Sequence, residues 1–448
     1  MKHRLTIIFI LLTGYAAAQT QPKVLTFEEA VKIALRNGVL LNQQKNNLDL
    51  AAMQRTYSIA GLGPTVNINT TAQRVYGNTF IQQTGNVING KVDNVQGSLN
   101  SNINLFNGFS QINRVRQANA ALEAQSFYIN RTSQDLINTI SSQYLQVLLD
   151  IELYTIANEN WDAQKKTLEQ VKEQVNLGAK SPVDEYNQDS QTKAAEIAAL
   201  QAQINLVNDK SLLTQTLLLD PSDEFEVVKP QWDVSSADVE IELELRFATA
   251  LKYRGDYQRA IKNEESAKYG MRAYRASMLP TLSMYNTIYS TYNYVYSDVN
   301  KDFGDQVRNN NLRKFTGLQL TIPILGGNQN LQNRTNYVQQ RTTYLNNQWI
   351  KKNTEVQVKT EVKRAYENYK LYAKTFTVSV DKLRAADMAF QLETERYTLG
   401  ITSFVDFANA TRVFVQAQTD KAQAEYRLLF QKVLVDYAMG TLKPEDFQ

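Results

Sequence analysis

The sequence has no cysteine, and its single histidine is His3, at the very start of the chain. The lack of cysteine excludes disulfides, thiolate nucleophiles and cysteine-ligated metal sites. Removal of the first residues, which we predict below, also leaves no imidazole for general base catalysis or for zinc or copper ligation. Paired carboxylates do not stand out from the charges expected on long solvated helices. We therefore expect a protein that is not an enzyme and that uses no metal or other cofactor.

Long apolar runs are also lacking. After residue 18, no segment approaches the roughly eighteen consecutive apolar residues that a membrane-spanning helix needs. Any membrane crossing is therefore expected to be made by strands. The formal net charge is only +3, with acidic and basic residues scattered through both halves, so nucleic-acid binding gains no support.

The first 18 residues have the pattern of a secretory signal peptide. Lys2 and Arg4 form a basic start, residues 5–12 form an apolar run, and three alanines precede Gln19. This pattern predicts that residues 1–18 are cleaved and that the mature protein leaves the cytoplasm. Because no cysteine follows the alanines, we expect no lipid anchor at the mature amino terminus.

The chain contains an internal duplication with a spacing of about 220 residues. In each half, six apolar positions step by four, four, three, four and three residues, which keeps one stripe of a helix facing a neighbour. The six positions are Leu136, Ile140, Tyr144, Val147, Ile151 and Tyr154 in the first half, and Val358, Val362, Tyr366, Tyr369, Ala373 and Phe376 in the second. We predict two structural repeats, residues 19–230 and 231–448.

Each half also carries the frame Leu-Gly, two residues, Ser, one residue, Val-Asp, at residues 177–184 and 399–406. Before it, a helical pattern of about 65 to 70 residues runs to Leu177 in the first half and to Leu399 in the second. A second helical pattern then returns, over 182–219 and 403–440. Gly178 and Gly400 are typical helix C-caps, so the sequence predicts a helical hairpin with an exposed tip in each half.

Short alternating segments in each half predict β-hairpins, at about 64–107 and 280–325, after a first helix from Thr26 toward Ile59. In the first hairpin, Val66 and Ile68 alternate with amide and hydroxyl residues, and a polar loop is expected over 77–97. A soluble sheet with one wet face fits such hairpins. In an exported chain, an apolar face, an amide-rich face and a tyrosine cluster at 289–296 favour a membrane barrel with an aromatic girdle.

The predicted strands are too few for one chain to close a barrel. Each chain offers four strands, whereas closed membrane barrels need about eight or more, and an open sheet in lipid leaves backbone groups unpaired. Several chains are therefore expected to share one barrel.

The sequence resembles the TolC-like outer-membrane efflux protein family over essentially its whole mature length. The resemblance rests on the duplicated plan, on Pro64 and Pro280 at the strand starts, and on the two tip motifs. It also rests on the strand exit at residues 322–327 and on the Tyr-Ala-Met-Gly-Thr-Leu segment at residues 437–442.

The resemblance implies a homotrimer with a twelve-stranded barrel in the outer membrane of a Gram-negative cell, four strands per chain, continued by a long α-helical tunnel through the periplasm. Such a duct conducts substrates passively in a tripartite efflux or type I secretion system. Its partners are a periplasmic adaptor, an inner-membrane pump and outer-membrane lipid. A soluble periplasmic helical-hairpin adaptor is the alternative interpretation.

The resemblance also implies residue roles at the tips. Asp406 matches a family aspartate that rings the constriction, and a charged ring in a narrow throat attracts cations. Some members carry a second aspartate three residues on, where this chain has Asn409. Tyr397 matches a tyrosine that holds the closed state, and Asp184 matches its first-repeat partner.

The basic residue that some members place two after the second glycine is absent, since Thr402 stands there. The expected adaptor-docking tips are Gly178 and Ser181 in the first repeat and Gly400 and Ser403 in the second. Asp406 also has a simpler interpretation, as a carboxylate that favours the start of a helix. The transported substrate, the cognate pump and the choice between efflux and protein secretion stay open at this point.

Overall fold

The computed structural model describes residues 23–81, 85–230, 242–296, 299–323 and 327–443. The predicted signal peptide lies outside this part of the chain. The described elements run in the order β1 (Lys23–Leu25), α1 (Phe27–Asn37), α2 (Val39–Ala60), β2 (Thr65–Ile81), β3 (Asn86–Phe106), α3 (Ser110–Asn176), α4 (Pro182–Leu217), β4 (Phe225–Val227), α5 (Leu243–Tyr253), α6 (Gly255–Ala276), β5 (Thr281–Val295), a short π-helix (Asp305–Asn310), β6 (Arg313–Thr321), α7 (Gly327–Thr398) and α8 (Phe404–Met439).

The chain divides into two compact units, each built from separate stretches of sequence. The sheet unit comprises residues 44–129 and 255–357, and the tip unit comprises residues 1–43, 130–254 and 358–448. Among the described residues, no helix is both long enough and apolar enough to cross a membrane.

The sheet unit contains one antiparallel sheet in the order β2-β3-β5-β6. Its register places one set of apolar residues on a common face, because Ile68 lies opposite Leu99 and Leu99 lies opposite Ile288. Leu318 and Leu320 of β6 lie on the same face, opposite Met284 and Leu282 of β5. The other face carries the amides: Asn67 pairs with Asn100, whose Oδ1 accepts a hydrogen bond of 3.0 Å from the Thr287 hydroxyl. The alternation in the sequence therefore corresponds to two chemically different faces.

The prediction of a loop at 77–97 is wrong. The pairing of β2 with β3 continues from Thr65–Asn102 to Ile81–Asn86, so most of this stretch is strand. The Gly- and Asn-rich composition favours a loop, but cross-strand hydrogen bonds outweigh the weak intrinsic preferences of these residues. At 17 and 21 residues, both strands exceed the roughly 9 to 11 residues that a membrane crossing needs.

Strand β6 is shorter than β5, so part of one edge of β5 is not paired with β6. The segment that contains the π-helix covers this part of the edge. Beyond Tyr289, which lies opposite the first residue of β6, the side chain of Gln306 accepts from the backbone N–H of Asn293 at 3.0 Å and donates to its carbonyl at 3.1 Å. Asn311 donates to the carbonyl of Thr291 at 2.6 Å. These side chains satisfy backbone groups that an open strand edge would expose. Residues 324 and 325, part of the predicted hairpin, lie outside the described residues.

The first helix is interrupted, contrary to the single helix predicted from Thr26 toward Ile59. Gly38, at φ −52° and ψ 116°, separates α1 from α2. A Cβ at Gly38 would lie 2.6 Å from the Leu136 side chain on α3, so the break lets two backbones approach closely. The apolar pattern of the sequence continues through the break, so the sequence gave no sign of an interruption at Gly38.

The predicted stripe on the first long helix forms the core of the tip unit. Ile140, Tyr144 and Val147 are fully buried, and the Tyr144 hydroxyl donates to the carbonyls of Leu25 at 2.9 Å and Val228 at 2.7 Å. These bonds tie α3 to the two-stranded parallel sheet of β1 and β4, which the sequence did not predict. On α7, the first two positions of the second stripe, Val358 and Val362, are buried, and the remaining four are only half-buried within a single chain.

The helical-hairpin tips as the candidate functional site

The first tip joins α3 to α4 through a left-handed glycine and a capping box. Gly178 has φ +72°, and the N–H of Ala179 donates to the carbonyl of Gln174 at 2.7 Å, which closes the end of α3. The Ser181 hydroxyl then accepts from the N–H of Val183 at 3.2 Å, and Asp184 Oδ2 accepts from the N–H of Ser181 at 3.2 Å. The carboxylate of Asp184 is thus engaged in starting α4.

The second tip repeats this backbone between α7 and α8. Gly400 has φ +73°, and the N–H of Ile401 donates to the carbonyl of Arg396 at 2.8 Å. The Ser403 hydroxyl accepts from the N–H of Asp406 at 3.2 Å and donates to Asp406 Oδ2 at 2.7 Å. A Cβ at Gly178 or Gly400 would touch nothing within 4 Å, so the backbone angle and not crowding favours glycine at both positions.

Asp406 is solvent-exposed and ionised at neutral pH. The hydroxyl of Ser403, and after it that of Thr402, donates to the carboxylate and holds the pKa of Asp406 below its usual range. Asn409, one turn along α8, is exposed, and its Oδ1 accepts from the Arg412 guanidinium at 2.9 Å. Arg412 was not predicted, and it places a cation nearly two turns beyond Asp406 on α8.

Tyr397 is buried, with only 8% of its surface exposed, and it connects the two tips. Its ring stacks on Phe407 with centroids 4.6 Å apart, and the ammonium of Lys180 lies 3.5 Å from the centroid of the Tyr397 ring. This places a cation from the first tip against the ring of the second. Burial lowers the pKa of Lys180, and the carboxylate of Asp184 partly opposes this shift.

The hydroxyl of Tyr397 is buried and has no hydrogen-bond partner among the described residues. Burial, with a smaller contribution from the Asp184 carboxylate, raises the pKa of Tyr397. Within one chain, the interaction of Tyr397 with Asp184, its predicted partner, is therefore electrostatic only. The direct contact of the Tyr397 ring is with Lys180. The sequence offers a signal for Lys180, which stands two residues after Gly178, where the second repeat has Thr402 after Gly400.

Further aromatic rings extend the contact of Tyr397 along α7 and α8. Phe390 stacks on Phe414 with centroids 4.8 Å apart and on Phe407 at 6.4 Å, and Phe404 packs edge-on against Tyr397. These rings were missed at the sequence level. Their spacing of seven residues within each helix, 390–397 on α7 and 407–414 on α8, is the signal that predicts a shared face of the helix pair.

The arrangement can hold the tips together without an ion pair. A partly dehydrated ammonium, a stack of aromatic rings and two capped helix starts fix Asp406 on a rigid element next to the turn. Among the described residues, no group of three or more acidic or histidine side chains could hold a metal ion. The site is therefore a pair of charged turns that are held together by the contact between Lys180 and Tyr397.

Comparison with known proteins identifies the fold and the family. The family model described as Outer membrane efflux protein matches residues 30–217 and 248–441, one match in each repeat. The comparison with curated proteins gave no match.

Solved outer-membrane proteins have the same fold. The outer-membrane channel OprN is 17% identical, with a TM-score of 0.79 over 92% of this chain and 89% of that chain. VceC from Vibrio cholerae is 15% identical, with a TM-score of 0.80 over 92% and 96%. The outer membrane channel CmeC of Campylobacter jejuni is 16% identical, with a TM-score of 0.76 over 92% and 85%.

The predicted fold class is confirmed, with four barrel strands per chain, long helices and an internal duplication. Family members are trimeric outer-membrane efflux channels of Gram-negative bacteria, and the family is not an enzymatic one. With 382 residues inside the two matched segments, the chain belongs to the outer membrane efflux protein family.

Proposed function

We propose that three copies of this chain form the exit duct of a tripartite efflux or type I secretion system, spanning the outer membrane and reaching through the periplasm to an adaptor and an inner-membrane pump. The observation that carries the proposal is the four-stranded sheet, whose outer strands β2 and β6 each have one edge that no other described strand pairs. Three such sheets joined edge to edge give a closed cylinder of twelve strands, which leaves no unpaired edge in lipid.

The exposed apolar residues of the sheet support a lipid-facing surface. Ile68 is 76% exposed, and Leu318 and Leu320 are similarly exposed, although all three lie in regular strands. In water such residues would be an aggregation hazard, whereas in a bilayer they are solvated by acyl chains. Tyr292, Tyr294 and Tyr296 alternate along the far part of β5 and its end, where a girdle of aromatic residues is expected.

The tips are the proposed docking surface for the adaptor. Gly178, Ser181, Gly400 and Ser403 are exposed and shape the two turns. Large apolar side chains project beside them: Leu177 is 78% exposed and Leu399 is 74% exposed. Exposed apolar residues clustered at a turn are typical of protein contact sites, and the family works with adaptor and pump partners in general.

Asp406 is the proposed selectivity residue, as a ring of three carboxylates in the trimer. The test is planar-bilayer conductance of the detergent-purified trimer, comparing wild type with Asp406→Ala and with Asn409→Asp. We expect weaker cation selectivity in the first variant and stronger selectivity in the second, which adds a second ring of charge. Unchanged selectivity in both variants would remove this turn of α8 from the constriction.

The soluble adaptor interpretation is set aside, because the matched family consists of outer-membrane channels. The proposed location also includes cleavage of residues 1–18 and no lipid anchor. Mass spectrometry of the protein purified from outer membranes tests both points. The expected mass is that of an unmodified chain beginning near Gln19.

A further inference from the structure

A cavity of about 710 Å³ lies in the sheet unit where two strands change into helices. It is lined by the Gly108–Phe109 turn between β3 and α3, and by the end of α6 with the turn before β5. Phe106 of β3 pairs with Leu282 of β5, so both turns lie at the same end of the sheet. Nothing in the family assignment or in the proposed tip chemistry uses this cavity.

Three arginines line the cavity: Arg116, Arg272 and Arg275. All three are exposed, and no acidic residue is among the lining residues. Within the described residues none of the three forms an ion pair. Arg116 and Arg272 contact only the face of the Tyr269 ring, at 5.7 and 5.9 Å from its centroid.

Some cations elsewhere in the protein have carboxylate partners. In the same unit, the ammonium of Lys262 lies 2.6 Å from Glu123. In the tip unit, Arg254 lies 2.7 Å from Glu361. The cavity therefore concentrates three cations that the described protein leaves without a counterion, and a guanidinium fork matches the oxygens of a phosphate.

Most of the remaining lining residues are apolar, and one of them is strained. Phe109 has φ +66°, a left-handed conformation that a residue with a side chain rarely adopts, and the residue is 61% exposed. Met278 and Leu279 are also exposed beside it. A strained turn that holds a phenyl ring outward at the edge of a cavity is unfavourable in water and favourable against an acyl chain.

The arginines and the exposed apolar residues of the cavity both fit one depth in the membrane. This step of the inference rests on the proposed function. If the sheet crosses the outer membrane and the helices continue into the periplasm, the cavity lies at the level of the headgroups of the periplasmic leaflet. At this level a phosphate and the first methylenes of an acyl chain are neighbours, as the arginines and Phe109 are in the cavity. Basic pockets at membrane edges bind anionic headgroups in this way.

We propose that the cavity binds an anionic phospholipid of the periplasmic leaflet, with its phosphate on Arg116, Arg272 and Arg275 and an acyl chain along Phe109 and Leu279. Charge complementarity selects this occupant over a zwitterionic lipid, because three cations with no carboxylate favour a headgroup of net negative charge.

The test is native mass spectrometry of the detergent-purified trimer, titrated with phosphatidylglycerol or with phosphatidylcholine. Wild type is expected to bind phosphatidylglycerol at least about tenfold more tightly. The variant Arg116→Gln, Arg272→Gln, Arg275→Gln is expected to lose this preference. The matched control changes three exposed arginines of α7 to glutamine, Arg334, Arg341 and Arg364, with the same loss of charge, and keeps the preference.

Two further arms identify the part of the lipid that is bound. Phe109→Ala is expected to weaken the binding of both lipids to a similar degree, because it removes acyl-chain contact and keeps the charges. Inorganic phosphate is expected not to compete at millimolar concentration. Competition by phosphate, or an equal loss of preference in the α7 control, would overturn the lipid site.

Conductance of the same preparations separates this inference from the proposed function. A conducting trimer without any preference for phosphatidylglycerol contradicts the lipid site alone, whereas a preparation that forms no conducting trimer contradicts the proposed function. If the triple variant does not assemble, the single variant Arg275→Gln replaces it, since Arg275 makes no ring contact among the described residues. A severalfold loss of preference is expected there, and no loss would refute the assignment of Arg275.

Discussion

The two hairpin tips share one backbone and differ in the chemistry of their side chains. Both turns have a left-handed glycine, at φ +72° and +73°, and a serine that caps the returning helix. The side chains that follow the glycines are different: the first tip has Lys180, and the second has Thr402 at the matching position. The carboxylate of Asp184 accepts from the backbone N–H of Ser181, whereas that of Asp406 accepts from the hydroxyls of Ser403 and Thr402 in addition to the backbone of Ser403.

This difference shows what duplication keeps and what it leaves free. The residues that fix backbone geometry are the same in both copies because a change there would break the turn. Other side chains at the turns differ between the copies. The first copy supplies the cation, Lys180, and the second supplies the aromatic ring on which it lies, Tyr397. The joined tips therefore need both copies.

The largest expected effect is that of Tyr397→Ala. Removing a buried, stacked ring typically costs about 3–5 kcal/mol, and here it also removes the surface on which Lys180 lies. We expect a lower apparent melting temperature and a higher conductance of the resting channel in planar bilayers. Tyr397→Phe is the matched control and should behave like wild type, because the hydroxyl has no partner among the described residues. If the phenylalanine variant is as defective as alanine, the ring is not what connects the tips.

The next largest effect is expected from Lys180→Gln, which removes the cation and leaves the ring. A partly dehydrated cation on an aromatic face contributes on the order of 1–2 kcal/mol. Resting conductance should rise, though less than for Tyr397→Ala. Lys165→Gln is the control, since Lys165 lies 3.8 Å from the ring centroid of Trp161 on its own helix and links no tips. Equal effects of the two lysine variants would contradict the comparison.

Asp184 and Asp406 should respond differently to substitution. Asp184→Ala is expected to cost about 1 kcal/mol through loss of the helix cap, with little change in ion selectivity. Asp406 should control selectivity. Because hydroxyl donors lower the pKa of Asp406, its charge should persist as pH falls from 7 to 5, and cation selectivity should be kept over this range. Reversal potentials measure the selectivity, and selectivity already lost at pH 6 would contradict a lowered pKa of Asp406 in the channel.

The smallest effect concerns Asp150, a buried aspartate of the tip unit whose pKa shifts in the opposite direction to that of Asp406. Burial, and then the facing carboxyl of Asp209, raises the pKa of Asp150 to about 7, while Gln146 donates to one oxygen at 3.0 Å. Between about pH 4 and 7, Asp150 stays protonated in the folded protein but is ionised in the unfolded protein. The free energy of unfolding therefore falls as pH rises through this range.

Asp150→Asn should therefore raise the apparent melting temperature by about 2 °C at pH 8 and leave it nearly unchanged at pH 4. The measurement is thermal unfolding of the detergent-purified trimer at the two pH values. Asp223→Asn, a change on an exposed aspartate of the same unit, is the control for loss of charge. A larger gain at pH 4 than at pH 8 would show that the sign of the shift is wrong.

Periodicity predicted the helices well because their apolar stripes are long. The structure ends α3 at Asn176 and α7 at Thr398, one residue before the predicted ends at Leu177 and Leu399. The strands beyond residue 77 were missed, because their hydrogen bonds come from a partner strand and leave no trace in local composition. The break at Gly38 was missed for a related reason, since it depends on close approach to Leu136.

At the tips, local patterns predicted the residues that repeat, whereas Lys180, which has no counterpart in the second copy, was missed. Ser181, Ser403 and the two glycines follow from local turn chemistry. The contact between Lys180 and Tyr397 joins positions 217 apart in the sequence and depends on how two hairpins pack, which no local pattern specifies. The arginine cavity was missed because Arg116 and Arg275 come from different repeats.

The central claim is that the four strands of each chain are completed by those of two other copies in one lipid-facing barrel. Native mass spectrometry of protein extracted from outer membranes tests it most directly. The predicted result is an assembly of three chains that stays intact only in detergent or lipid. A single chain that is stable and monodisperse in detergent-free buffer would contradict it.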